Sequence, residues 1–231
     1  NSFCTLLVRH ASMRRARVLS CWSAADRKYA AAVRVGKHGG PEVLSYEEYD
    51  LSAKRRPAGR EVLLRHSFAG VNFIDTYYRS GLYTDASKPM PFIVGTEGVA
   101  SVLAVGPEAD PTLLGQRVAF FRAKEGAYTA FSIADADDLY RVPKGVRDAD
   151  AAAVLLQGCT AHYLAHDCFH AREGTAVVVH AAAGGTGLLL CQMCAANGAT
   201  VIGVCGGAEK AELARTVGKA THVIDYQSDA D

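Results

Sequence analysis

No apolar stretch in these 231 residues approaches the ~20 that a membrane helix needs, and the net charge is only +1, with a sequence pI near 7.8. The first absence excludes a helical membrane span. The second leaves no general field for nucleic acid or acidic membrane. An even cysteine set is missing too. The seven thiols (Cys4, Cys21, Cys159, Cys168, Cys191, Cys194, Cys205) lie mostly in apolar runs, which reads as reduced thiols rather than a secreted disulfide framework. Acids are scarce in the first 29 residues, where Arg9, Arg14, Arg15, Arg17, Arg27 and Lys28 face Asp26 alone. What is present is a hydrophobic fraction of 49% with 21% charged residues, enough to bury a core in one or two domains.

The basic, acid-poor leader has the character of an organellar transit peptide, the alternative being a disordered extension; the chain starts with Asn1 rather than Met. The reading is therefore a cytoplasmic protein, or a mitochondrial one should residues 1–29 act as a transit signal. From Tyr29 the pattern turns to short strands with glycines and prolines between them: 31–35, 43–51 and 61–71, then 98–106, 116–121 and 126–134. This predicts an antiparallel, curled, barrel-like sheet. Near Asp148 the rhythm shifts to helices, at 148–158 and 160–169. Strand 175–180, helix 187–198, strand 200–205, helix 208–218 and strand 221–226 follow, an alternation that predicts a parallel sheet with crossover helices.

Within that alternation, "HAAAGGTGLLLCQMC" raises the chemistry. Ala182, Gly184 and Gly187 align with the dinucleotide fingerprint, alanine replacing its first glycine. The three small residues provide a tight turn, backbone approach to a pyrophosphate and close helix-to-strand packing. Gly185 and Thr186 between them bring further N–H groups to the helix N-terminus, which faces the phosphates. A P-loop is excluded because "GLLL" stands where Lys and Ser or Thr are required. At the end of the second strand, where NAD sites place Asp or Glu, the chain has Cys205, Gly206 and Gly207. With no carboxylate to repel a 2′-phosphate, and with Lys210 and Tyr226 nearby to bind one, the expected cofactor is NADPH.

The stretches "GKHGGPEVL", "GVNFIDTYYRSGLY", "GTEGVASVLAVG", "GQRVAF", "GAYTAF" and "HAAAGGTG" occur in an order and spacing similar to the zinc-free quinone oxidoreductase (zeta-crystallin-like) branch of the medium-chain dehydrogenase/reductases, over about Ala31 to Tyr226. The resemblance implies an α/β protein in which a GroES-like, β-rich catalytic domain at 30–155 precedes a Rossmann-type parallel-sheet domain from 156, with NADPH between them. It also implies that the Rossmann part, ending at Asp231 after three strands, is truncated. A full-length homodimer and weak NADPH binding by this piece are expected.

Zinc relatives place Cys and His where this chain has Asn72 and Thr96, and the cysteine-free interval from Cys21 to Cys159 leaves out their structural-zinc lobe, so no metal is expected. His162, His166 and His170 at four-residue spacing, and the Cys191/Cys194 pair, read more simply as variable surface positions and as small core hydrophobes. Without a Lewis acid, hydride must reach an already electrophilic carbon, in a quinone or an enone, while hydrogen-bond donors stabilise the charge on its oxygen. By resemblance Asn72 and Tyr83 line the nicotinamide and quinone pocket, with Asp75 and Tyr78 next nearest and Thr160 at the nicotinamide end. The plain alternatives are a loop-orienting Asp75, a core Tyr78 and a solvated Lys210. The leading reading is an NADPH-dependent quinone reductase of small-molecule substrates, with no nucleic-acid or membrane partner. The alternatives are an enoyl or alkenal reductase, and a non-catalytic NADPH- or RNA-binding crystallin-like protein whose basic patch would be the 54–60 turn.

Overall fold

A computed structural model describes residues 29–50, 56–85, 89–121 and 125–228. Residues 1–28 of the basic leader, with Cys4 and Cys21, and Lys54 and Arg55 of the 54–60 turn lie outside the described residues. The chain divides into two compact units, 1–155 and 156–231.

In the first unit, β1 (Tyr29–Val35) pairs antiparallel with β2 (Leu44–Asp50), joined through a 3-10 turn at Pro41–Val43. Its other edge takes the two-residue β4 (Phe92–Ile93). A second, five-stranded antiparallel sheet runs in the order β7-β3-β5-β6-β8, built from β3 (Glu61–Gly70), β5 (Glu97–Val105), β6 (Arg117–Phe121), β7 (Phe131–Asp135) and β8 (Leu139–Arg141). Irregularities at Leu63/Leu64 and His66/Phe68 let the long β3 bend, as an unpaired extra residue does. Val62, Leu64, Val102, Val118 and Phe120 close the core of this sheet. The 126–134 stretch does not form one strand: only its end is β7, because Ala127 and Tyr128 donate instead to Val94 O, and Tyr128 O accepts from Val33 N–H of β1. The segment thus ties the two sheets together before joining β3.

Between β3 and β4 stands α1 (Phe73–Ser80), an eight-residue helix within the stretch quoted above as "GVNFIDTYYRSGLY". It starts at Asn72 in extended geometry and stops at Gly81, whose φ of 82° is a left-handed conformation that glycine adopts without a Cβ penalty. Further on, the two helices expected at 148–158 and 160–169 are one continuous α2 (Asp148–Tyr163) followed by a π-turn at Leu164–Cys168. Gly158, which reads as a stop, is a buried residue inside it.

The second unit carries the parallel sheet in the order β11-β10-β9, made of β9 (Ala176–His180), β10 (Thr200–Cys205) and β11 (His222–Asp225). The crossover helices are α3 (Gly185–Ala196) and α4 (Ala208–Thr216). Together with the β-rich first unit this is the α/β architecture expected. Its core is built from small residues: Val179, Val201, Cys191, Cys194, Cys205, Ala211 and Ala214. Gly203 lies in β10 because a Cβ there would come 2.9 Å from that of Ala182. Among the described residues, no helix is long and apolar enough to cross a membrane.

Candidate active site

Asn72 caps α1 and is buried, its Nδ2 donating to Glu97 Oε1 at 2.7 Å. Glu97, the first residue of β5, has no exposed surface at all. Its place is cut by Gly70, where a Cβ would lie 2.5 Å from Oε1 and overlap the Ala152 carbonyl. Asp75, the third residue of the helix, accepts from three donors: the Asn72 backbone N–H at 2.9 Å, the Thr96 hydroxyl at 2.6 Å and the Tyr128 hydroxyl at 2.8 Å. Its carboxylate is therefore committed to holding the N-terminus of α1, which favours the orienting role over a catalytic one. Tyr83 lies past the other end of α1, edge-on to Tyr77 at 5.2 Å and to Tyr78 at 6.1 Å between ring centroids. An eight-residue helix is about 12 Å long, so the structure gathers the expected residues as two clusters, Asn72 and Asp75 at its start and Tyr78 and Tyr83 at its finish. Sequence reasoning missed Glu97 and Tyr128. For Glu97 the signal was present, an acid inside the apolar run "FIVGTEGVASV".

In the second unit, β9 breaks at Ala181, which takes a φ of 52°. The tight turn assigned to Ala182 in the fingerprint falls one residue earlier. Ala182 is instead fully buried packing against β10, and its N–H donates to Val204 O at 3.1 Å. Gly184 N–H closes the turn on Ala181 O at 2.8 Å, and Gly184 O receives the first helical bond from Leu188 N–H. Gly187 is required by close approach, since a Cβ there would overlap the Ala181 carbonyl. A Cβ on Gly184 would meet only Ala181 O, at 3.1 Å. The N–H groups of Gly185, Thr186 and Gly187 open α3 without intrahelical acceptors, the arrangement that receives phosphate. Thr160, on α2, donates its hydroxyl to Leu156 O of its own helix at 2.8 Å.

At the end of β10, Tyr226 lies over Gly206: a Cβ there would be 2.6 Å from its hydroxyl. Lys210 is exposed on α4, and its charge and that of Arg215 reach Cys205. A carboxylate does stand here, unseen in the sequence reading. Asp225 accepts from the Gly207 N–H at 2.7 Å and the Gln227 N–H at 3.1 Å. These two backbone donors hold it below the usual carboxylate range and use it to shape the loop.

The remaining patterns have structural duties. Cys191 and Cys194 are buried in α3. Burial, then the neighbouring Cys194, pushes the Cys191 thiol up to about 11, too high for a reactive thiolate. The rings of His162 and His166 lie 4.5 Å apart between centroids, tilted by 42°, and among the described residues no group of three His, Cys, Asp or Glu side chains is arranged to hold a metal ion.

The alcohol dehydrogenase GroES-like domain family matches residues 58–167, and the zinc-binding dehydrogenase family matches 185–231. A quinone oxidoreductase of Pseudomonas aeruginosa is 42% identical over 197 residues, 85% of this chain and 59% of that protein. A 2-haloacrylate reductase from a Burkholderia species is 37% identical over 200 residues, with 85% and 59% covered. The crystal structure of Escherichia coli quinone oxidoreductase complexed with NADPH superposes with a TM-score of 0.80 at 37% identity, over 86% of this chain and 59% of that one. The chain thus spans about three-fifths of the length of the relatives it matches.

Proposed function

The chain belongs to the zinc-free quinone oxidoreductase branch of the medium-chain dehydrogenase/reductase superfamily, and from that premise we propose that it forms part of an NADPH-dependent reductase that delivers hydride to a quinone without metal. The observation that carries this is the turn from Ala181 to Gly187, whose glycines leave backbone donors at the head of α3 open to a pyrophosphate. NADPH, when bound, supplies the hydride. Everything else falls to the protein's own groups. Lys210 and the Tyr226 hydroxyl bind the 2′-phosphate at the end of β10, where Asp225 is occupied by backbone donors and does not act as the ribose acid of an NAD site.

The amide of Asn72, held in place by Glu97, supplies a hydrogen bond to the quinone oxygen as charge builds on it, and Tyr83, in the cluster at the far end of α1, lines another part of the quinone pocket. Thr160 positions the nicotinamide end. A zinc ion does not fit this donor set: Asn72 and Thr96 offer an amide and a hydroxyl where zinc takes thiolate or imidazole ligands. The quinone is the small-molecule substrate of this reading.

The test is a titration of NADPH and NADH, followed by steady-state oxidation of each with p-benzoquinone, 1,2-naphthoquinone and an enone. NADPH should bind at least about tenfold more tightly than NADH, and Lys210→Ala with Tyr226→Ala should erase that preference, about 1.4 kcal/mol. Equal affinity for the two nucleotides, or turnover of the enone alone, overturns the proposal.

A further inference from the structure

The glycine pair that opens α3 contains one residue that the turn itself does not require. Gly184 and Gly187 answer to the Ala181 carbonyl, whereas Gly185 has no such neighbour. It is the first residue of α3 and its φ is not positive, so no backbone strain reserves the position for glycine. Alanine there would favour the helix. What a side chain there would meet, and have to displace, is the amide end of Gln157. A Cβ on Gly185 would overlap Gln157 Oε1 and lie 2.6 Å from its Cδ and 2.9 Å from its Nε2. The amide of Gln157, projecting from α2, therefore rests directly on the phosphate-receiving turn. Gln157 also stands three residues before Thr160, on the same face of α2.

We propose that Gln157 is a positioning residue: its amide, seated on Gly185, holds the turn in its phosphate-receiving shape and sets Thr160 in register with it. This rests on the reading that the pyrophosphate of NADPH occupies the turn. The end of β10, where the 2′-phosphate is bound, lies outside the contact. Loss of Gln157 therefore acts on the pyrophosphate and nicotinamide portions of the cofactor and spares the adenosine 2′-phosphate. A side chain added at Gly185 acts in the same way, because it displaces the flexible amide from its seat.

The experiment uses the whole chain as Gln157→Ala, Gly185→Ala and the double variant, with NADPH affinity read from the fluorescence of the reduced nicotinamide and adenosine 2′-monophosphate as competitor. Each single substitution should weaken NADPH about tenfold and leave the competitor within about twofold. The double variant should be no weaker than the weaker single, because both changes remove one contact. Thermal unfolding of all four proteins follows the same cycle, and in the double variant the vacated space admits the alanine methyl. If Gly185→Ala alone does not fold, Gln157→Ala and the double variant carry the comparison, and both should bind NADPH alike. An additive double variant, equal loss of NADPH and adenosine 2′-monophosphate affinity, or singles that bind NADPH like the parent overturn the positioning role. A parent chain that binds no NADPH overturns the functional reading and the positioning role with it.

Discussion

His66 is held on both sides of its ring by polar partners and stands against an aromatic. Its Nδ1 is 3.0 Å from the Ala127 carbonyl and its Nε2 2.7 Å from the Ser132 hydroxyl, while its ring lies 4.8 Å from that of Phe120. Burial pushes its pKa down to about 4, against a smaller opposing pull from the Ala127 carbonyl. Between an unfolded value near 6.5 and this folded value, the unfolded chain takes up a proton that the native ring refuses. Stability contributed by His66 is thus complete above pH 6.5 and is lost as the pH falls through 4, by about 3 kcal/mol in all. Urea unfolding from pH 7 to pH 4 should show this loss, and His66→Gln should remove it while retaining the decline that the carboxylates cause in both proteins. Parallel pH profiles for the two proteins contradict this assignment.

Among elements, α1 and the turn before α3 show opposite degrees of legibility. The turn could be read because a β-branched run, three small residues and an apolar helix follow one another without help from the rest of the chain. Even so, the left-handed residue was displaced by one, since only the backbone reveals that Ala181 makes the bend. Replacing Ala181 with glycine relieves that conformation and should raise stability by up to about 1 kcal/mol, whereas Ala183→Gly, at an ordinary φ, should lower it by about 0.5–1 kcal/mol. Helix α1 was not legible as a helix: its stripe of Phe73, Ile74, Tyr77 and Tyr78 spans barely two turns, too short to stand out from the strands on either side, and only Asp75 in it is buried. What holds it is tertiary, an acid from the helix meeting Thr96 and Tyr128 from distant segments. Asp75→Ala leaves two hydroxyls and the Asn72 N–H without that acceptor and should cost about 3 kcal/mol in chemical denaturation, with Asp75→Asn intermediate. Glu97 and Asp225 share the same history: acids inside apolar strand runs, whose burial was written in the neighbours rather than in the residue.

At the scale of the molecule, the parallel sheet of the second unit is unevenly covered. Register places Val177 beside Val201, and Val179 beside Gly203 and Val223, on the face that packs into the core with α3 and α4. The alternate residues form three rows on the opposite face, Ala176–Thr200, Val178–Ile202–His222 and His180–Val204–Ile224. Val178 is 56% exposed and Ile224 43%, in a kind of sheet that ordinarily buries both faces. An apolar surface of this kind, interrupted by two imidazoles and the Thr200 hydroxyl, binds hydrophobic dyes and promotes association. These 231 residues expressed by themselves should therefore enhance the fluorescence of anilinonaphthalene sulfonate while folded and sediment as concentration-dependent oligomers. Val178→Thr with Ile224→Thr should reduce both effects without loss of secondary structure, because threonine keeps the β-branched fit to the strand while presenting a hydroxyl to water. Dye binding unchanged by the double substitution would place the apolar surface elsewhere, with the exposed Phe73 and Leu82 around α1 the next to substitute.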